Sequence, residues 1–193
     1  MKDQSFPRQP KPPVSRPKVA AVMIALGILM VAAAGIILAT NSGGSSTSTG
    51  SGPARIGAHL DNFSLPDLNG KAVQLSDYAG RPVLINAWAT WCPPCQMEMP
   101  DLNAYYQKYR SQGLVILAVN AGETASQAST YVQQLGLTFP VLLDSDERLM
   151  DVLHINDYPT SILVGRDGVV KAIHIGRMTQ QIIESEITPF LNP

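Results

Sequence analysis

Apolar and polar positions divide the chain into unlike stretches. Residues 19–40 (VAAVMIALGILMVAAAGIILAT) form an apolar run of 22 residues without a charge. As a helix such a run is about 33 Å long, enough for a hydrocarbon core of about 30 Å. A buried core helix of that length would carry a polar stripe, and this one carries none. Lys and Arg precede it and none follows until Arg55. The expectation is a single membrane anchor with its N-terminus in the cytoplasm and the rest of the chain outside. A cleaved signal peptide is the alternative. Its apolar region is normally about 7–15 residues and ends at a small-residue site, whereas the Ala32-x-Ala34 match lies in mid-span here. No cysteine lies near the end of the run, which excludes a lipoprotein anchor.

Residues 1–18 carry five prolines and almost no large apolar side chain. They cannot bury a core and are expected to be a disordered cytoplasmic tail. A PxxP-type ligand is the alternative to a plain spacer. Residues 41–54 (NSGGSSTSTGSGPA) read as a flexible Gly/Ser linker. A coil of that length reaches roughly 20 Å and tethers a domain without orienting it.

Residues 55–193 have the pattern of one folded domain. Phe63–Leu65 and Ala72–Leu75 flank Asn69-Gly70, a hairpin signal. Pro82–Trp88 is an apolar run consistent with a strand buried on both faces. Leu102, Tyr105, Tyr106 and Tyr109 then recur at helical spacing, with Gly113 as the closing residue. Leu114–Val119 is a second buried strand, and Ala128, Tyr131, Val132 and Leu135 mark a second helix closed by Gly136. A short strand at Pro140–Leu143 and a short helix around Leu149, Val152 and Leu153 follow. Ser161–Val164 and Val169–Ile175 flank Arg166-Asp167-Gly168 as a second hairpin. Ile183, Ile187, Phe190 and Leu191 give a closing helix. Strands first alternate with helices and then pair antiparallel. The pattern predicts an α/β fold with a mixed central sheet, helices on both faces and an N-terminal β-hairpin extension.

The formal net charge of the 193 residues is -1, but it is unevenly spread. The tail carries +4 and the domain -5. An acidic domain argues against nucleic acid as a partner. Two cysteines in the whole chain exclude a Cys₄ zinc site, a cluster held by four cysteines and a multi-bridge scaffold.

Both cysteines stand in Trp91-Cys92-Pro93-Pro94-Cys95, between the first buried strand and the first long helix. In a βαβ context that spacing reads as a redox motif. Cys92 falls at a helix N-terminus, where free N–H groups and the macrodipole favour a thiolate. Pro93 and Pro94 suit a first turn but remove two donors. Stabilisation of the thiolate is therefore expected from the Cys95 N–H and S–H and the dipole. A structural disulfide is the plain alternative, but so short a loop constrains almost nothing in the unfolded chain. Half of a metal site is another, yet His59, His154 and His174 show no ligand-like pairing. No metal and no cofactor are expected.

The stretch HLDNFSLPDLNGKAVQLSDYAGRPVLINAWATWCPPCQMEMPDL resembles the ResA/TlpA-like membrane-anchored thiol-disulfide oxidoreductases of the thioredoxin superfamily, and the likeness covers nearly all of 56–193. The resemblance implies a thioredoxin-like fold, with Cys92 as the attacking and Cys95 as the resolving cysteine. It places Tyr158, Pro159 and Thr160 in the family's cis-proline loop, which holds substrate backbone. An X–Pro bond is cis in only about 5–6% of cases, so the bond alone points to trans. Pro100 matches a proline that kinks the active-site helix; an ordinary helix break is its other reading. Glu98 matches a glutamate that tunes the site, where a carboxylate would resist a second negative charge and could shuttle a proton. Its other reading is an exposed first-turn glutamate. Asn86 stands where thioredoxins carry a buried aspartate, so that role is vacant or passes to Glu98; it also reads as a core amide. Trp88 and Trp91 flank the site in the family pattern: Trp91 is expected to shield the disulfide, and Trp88 reads equally as a flanking residue or as plain core.

The function so implied is reduction of protein disulfides outside the cytoplasmic membrane by a monomer, with apocytochrome c before haem attachment among the family's clients. Electrons would come from a transmembrane thiol carrier. A disulfide oxidase and a copper-handling thiol protein for an oxidase copper site are the rivals. The peroxidase pattern Pro-x-x-x-Thr-x-x-Cys fails, because Ala89 stands where it requires Thr.

Overall fold

The computed structural model describes residues 52–191. The tail, the anchor and nearly all of the linker lie outside them. No helix of the described residues is long and apolar enough to cross a membrane.

A two-stranded hairpin, β1 (Ser64–Pro66) and β2 (Ala72–Gln74), comes first. After it run β3 (Val83–Trp88), α1 (Pro93–Tyr109), β4 (Val115–Ala121), α2 (Ala125–Leu135), β5 (Val141–Asp144) and α3 (Arg148–Leu153). β6 (Thr160–Val164), β7 (Val170–Ile175) and α4 (Gln180–Ile187) complete the domain. The five-stranded sheet has the order β5-β4-β3-β6-β7. β3, β4 and β5 are parallel; β6 and β7 run antiparallel to their neighbours. The fold is thioredoxin-like, as expected.

The apolar runs of β3 and β4 hide a two-residue alternation that the sheet separates. Leu84, Trp88, Ile116 and Ala118 face one layer with Met99, Leu102 and Tyr105 of α1 and Ile183 and Ile187 of α4. Ile85, Ala87, Leu117 and Val119 face the other with Leu149, Met150 and Leu153 of α3, and Leu65 and Val73 of the hairpin pack there too. Three expected apolar-face residues differ: Leu135, Val152 and Phe190 are each more than a third exposed. They lie at or near the ends of short helices, where the apolar face runs out of sheet to cover. α1 continues through Pro100 to Tyr109, so the proline does not break the helix; its missing N–H frees one carbonyl of the preceding turn.

The segment before the hairpin straps the sheet. Gly57 N donates to Val170 O, Val170 N to Ala58 O and Leu60 N to Gly168 O, at the start of β7 and in the turn before it. Farther on, Asp67 bridges to Leu142 of β5 at the opposite edge. Both edge strands, otherwise open to pairing with another chain, are thus partly covered.

Candidate active site

β3 and β4 are parallel and end side by side, Trp88 opposite Asn120. In open parallel sheets the loops leaving such ends form the site. Here the loop after β3 leads into Cys92, the N-cap of α1. Cys92 and Cys95 are joined by a disulfide with their Cα atoms 5.3 Å apart. The Cys95 N–H donates to Cys92 Sγ at 3.2 Å, the one first-turn donor near the sulfur that the two prolines leave. Cys95 is fully buried, and Cys92 keeps 3% of its surface.

Glu98 lies one helical turn beyond Cys95, hence on the same side of α1. It is fully buried, which removes its reading as an exposed first-turn residue. Its Oε1 accepts from Asn86 Nδ2 at 2.7 Å and its Oε2 from Met178 N at 2.8 Å. Burial pushes the carboxyl up to about 7. The two hydrogen bonds and the charges of His174 and Arg177 pull against that rise. Asn86 is a buried amide that also donates to Ser161 Oγ at 3.0 Å.

The Tyr158–Pro159 peptide is cis. Thr160 opens β6 opposite Ala87 of β3, so the proline loop abuts the end of the strand that leads to the cysteines. The Thr160 hydroxyl is tied to Asp157 O at 2.7 Å within the loop, and the side chain is buried. Pro159 O accepts from Gly176 N at 2.8 Å. Trp91 is 63% exposed and meets the Tyr158 ring edge to face at 5.8 Å. The Tyr158 hydroxyl donates to Glu147 at 3.2 Å. Trp88 is buried against Tyr131.

One part of the site had no counterpart in the sequence reading. Glu123, only 4% exposed, follows β4 and reaches the loop before the cysteines. Its Oε2 accepts from Thr90 N and Asn120 Nδ2, both at 2.7 Å, and its Oε1 from the Thr90 hydroxyl. Gln96 holds the Thr90 carbonyl. Every polar group of Thr90 is thereby fixed two residues before Cys92. The signal for Glu123 was its place just past a parallel strand end. His59, His154 and His174 are dispersed: at the strap, at the end of α3 and on β7.

A helix-capping sulfur backed by a buried sulfur and a buried carboxyl suits thiol-disulfide exchange, and the comparisons agree. The profile of the AhpC/TSA family matches residues 56–173. The thiol-disulfide oxidoreductase ResA of Geobacillus kaustophilus (strain HTA426) is 36% identical over 163 residues, 84% of this chain and 91% of its own. ResA of Bacillus subtilis (strain 168) is 39% identical over 127 residues, 66% of this chain and 71% of its own. A Chlorobium tepidum protein described as a thiol:disulfide interchange protein DsbE superposes with a TM-score of 0.68 at 30% identity, over 72% of this chain and 99% of its own. The chain thus belongs to the AhpC/TSA family and, within it, to the ResA-like thiol-disulfide oxidoreductases.

Proposed function

We propose that this oxidoreductase is a membrane-anchored reductase of protein disulfides outside the cytoplasmic membrane, serving cytochrome c maturation. The observation that carries the division of labour is position: Cys92 caps the helix and keeps 3% of its surface, while Cys95, inside the first turn, keeps none. In the reduced enzyme the Cys92 thiolate attacks one sulfur of the client disulfide. The client S–S bond breaks, its other sulfur leaves and takes a proton, and a mixed disulfide forms. Cys95 loses its proton and attacks Cys92 Sγ, releasing the second client thiol and closing the enzyme disulfide. Two electrons pass to the client. Glu98, one turn from Cys95 and with a carboxyl near neutrality, takes up the Cys95 proton. Trp91 and Tyr158 form the client-facing rim, and the buried Pro159 and Thr160 shape the loop behind it.

Residues 19–40 serve as the anchor and 41–54 as the tether that keeps residues 55–193 near a transmembrane thiol donor. With no third cysteine in the chain, reduction must come from such a partner. Two measurements test the reading. Cys95→Ser should accumulate a client-linked mixed disulfide, and Cys92→Ser should form none; the reverse result overturns the assignment. A redox titration should give a strongly reducing potential, whereas an oxidising one would make the enzyme an oxidase.

A further inference from the structure

Glu98 is sealed from solvent, yet the groups that answer it lead to the surface. Asn86 of β3 is the register partner of Ser161 of β6, and Ser161 of His174 of β7. Register partners project to one sheet face. Here it is the face under α1 and α4, otherwise built of Leu84, Leu163 and Ala172 and covered by Ile183 of α4. A polar row on an apolar face is costly unless its members are paired. Asn86 Nδ2 spends one hydrogen on Glu98 and the other on Ser161 Oγ. The Ser161 oxygen is thus an acceptor on that side, and its own hydrogen is left to be given onward. A cavity of about 10 Å³ touches Ser161, His174, Met178 and Glu186. That is close to the room of one water molecule. At the far end His174 Nδ1 lies 3.2 Å from Glu186 Oε1 of α4, and these side chains are 21% and 38% exposed.

The charged groups bearing on Glu98 are His174 and Arg177. Arg177, held 3.6 Å from Asp101 of α1, keeps its charge throughout. Histidine is the side chain whose charge ordinarily changes between about pH 5 and 8. Glu186 faces the ring from α4.

We propose that His174 is a positioning residue for Glu98: protonated from solvent against Glu186, its ring sets how readily the buried carboxyl ionises across the Asn86–Ser161–His174 row. A proton on His174 favours the Glu98 carboxylate, and its loss favours the neutral carboxyl. The exchange centre thereby senses external pH from the outer strand of the sheet. This inference deepens the reading of Glu98 given above.

The test reads the Glu98 carboxyl directly, by infrared titration of the full-length chain with labelled glutamate, in the wild type, His174→Gln and His174→Lys. The titration midpoint should be highest in the Gln variant and lowest in the Lys variant, with the wild type between them. Midpoints that coincide, or that move the same way in both variants, overturn the proposal, since a packing role alone would do one or the other. Coupling between two sites is reciprocal. Glu98→Gln should therefore lower the pH at which the His174 ring protonates, read by NMR, and an unmoved ring titration overturns the proposal even if the Lys variant does not fold. Turnover is a separate readout. A Glu98→Gln enzyme with unaltered exchange would remove Glu98 from the thiol chemistry while leaving its coupling to His174 intact.

Discussion

At Glu98 the fold prefers the neutral acid. Its carboxyl rises from 4.5 to about 7 through burial. A group raised on folding contributes stability that is whole below its unfolded value and is lost as pH rises through the folded one. The window here runs from about pH 4.5 to 7, and the full span corresponds to about 3 kcal/mol. Glu98→Gln should consequently melt with the wild type near pH 4 and several degrees above it at pH 8. The glutamine fits the site because Asn86 Oδ1 has no partner among the described residues. A flipped Asn86 can accept from the new amide while Met178 N keeps its oxygen, at the cost of leaving the Asn86 amide hydrogens unpaired. Melting curves that stay parallel across that range would count against a buried neutral acid. Glu123 differs in kind, being an acceptor for three donors at once. Glu123→Ala leaves the Thr90 N–H and the Asn120 amide unpaired and should cost about 1–3 kcal/mol in chemical denaturation. Glu123→Gln should cost less, and equal losses would argue for packing over hydrogen bonding.

Elements differ in how far they could be read in advance. β3 and β4 are buried on both faces, so each writes an apolar run interrupted by a single asparagine, Asn86 or Asn120. α1 announces itself through a capping cysteine, prolines in its first turn and apolar residues at helical spacing. The cysteine pair and the turn signals are equally local. The polar row is not. Asn86 and Ser161 are 75 residues apart and meet only through strand register, which no periodicity within either strand encodes. Glu123 shows only its place past a strand end; its contact with Thr90, 33 residues away, is set by the fold. The loop between β7 and α4 was likewise unmarked, though it holds the site from two sides. Gly176 N donates to Pro159 O and Met178 N to Glu98. Gly176 has φ +100°, a conformation that an L side chain adopts only under strain. Gly176→Ala should destabilise the domain by about 1 kcal/mol or more. It should raise KM for a protein disulfide more than for a small-molecule disulfide, in paired steady-state assays. Equal effects on both would mean that the loop does not shape the client-facing rim.

Across the whole molecule the charge is divided along the sequence, with a basic tail, an uncharged run and an acidic domain in succession. If residues 19–40 anchor the protein, a chain of residues 55–193 should leave the membrane fraction and still reduce a soluble disulfide at a similar rate. Persistence in the membrane fraction would point to a second attachment. The strap along the sheet edges has a mechanical consequence for a tethered enzyme. Force arriving along the chain from residue 54 passes through the backbone bonds of residues 57–60 to Gly168 and Val170, at the start of β7. Pulled across that strand, they load in series and peel one at a time, as a zipper opens. The helix that carries both sulfurs, and the central strand behind it, would feel the load only after the strap had let go, so the strap should yield before the catalyst does.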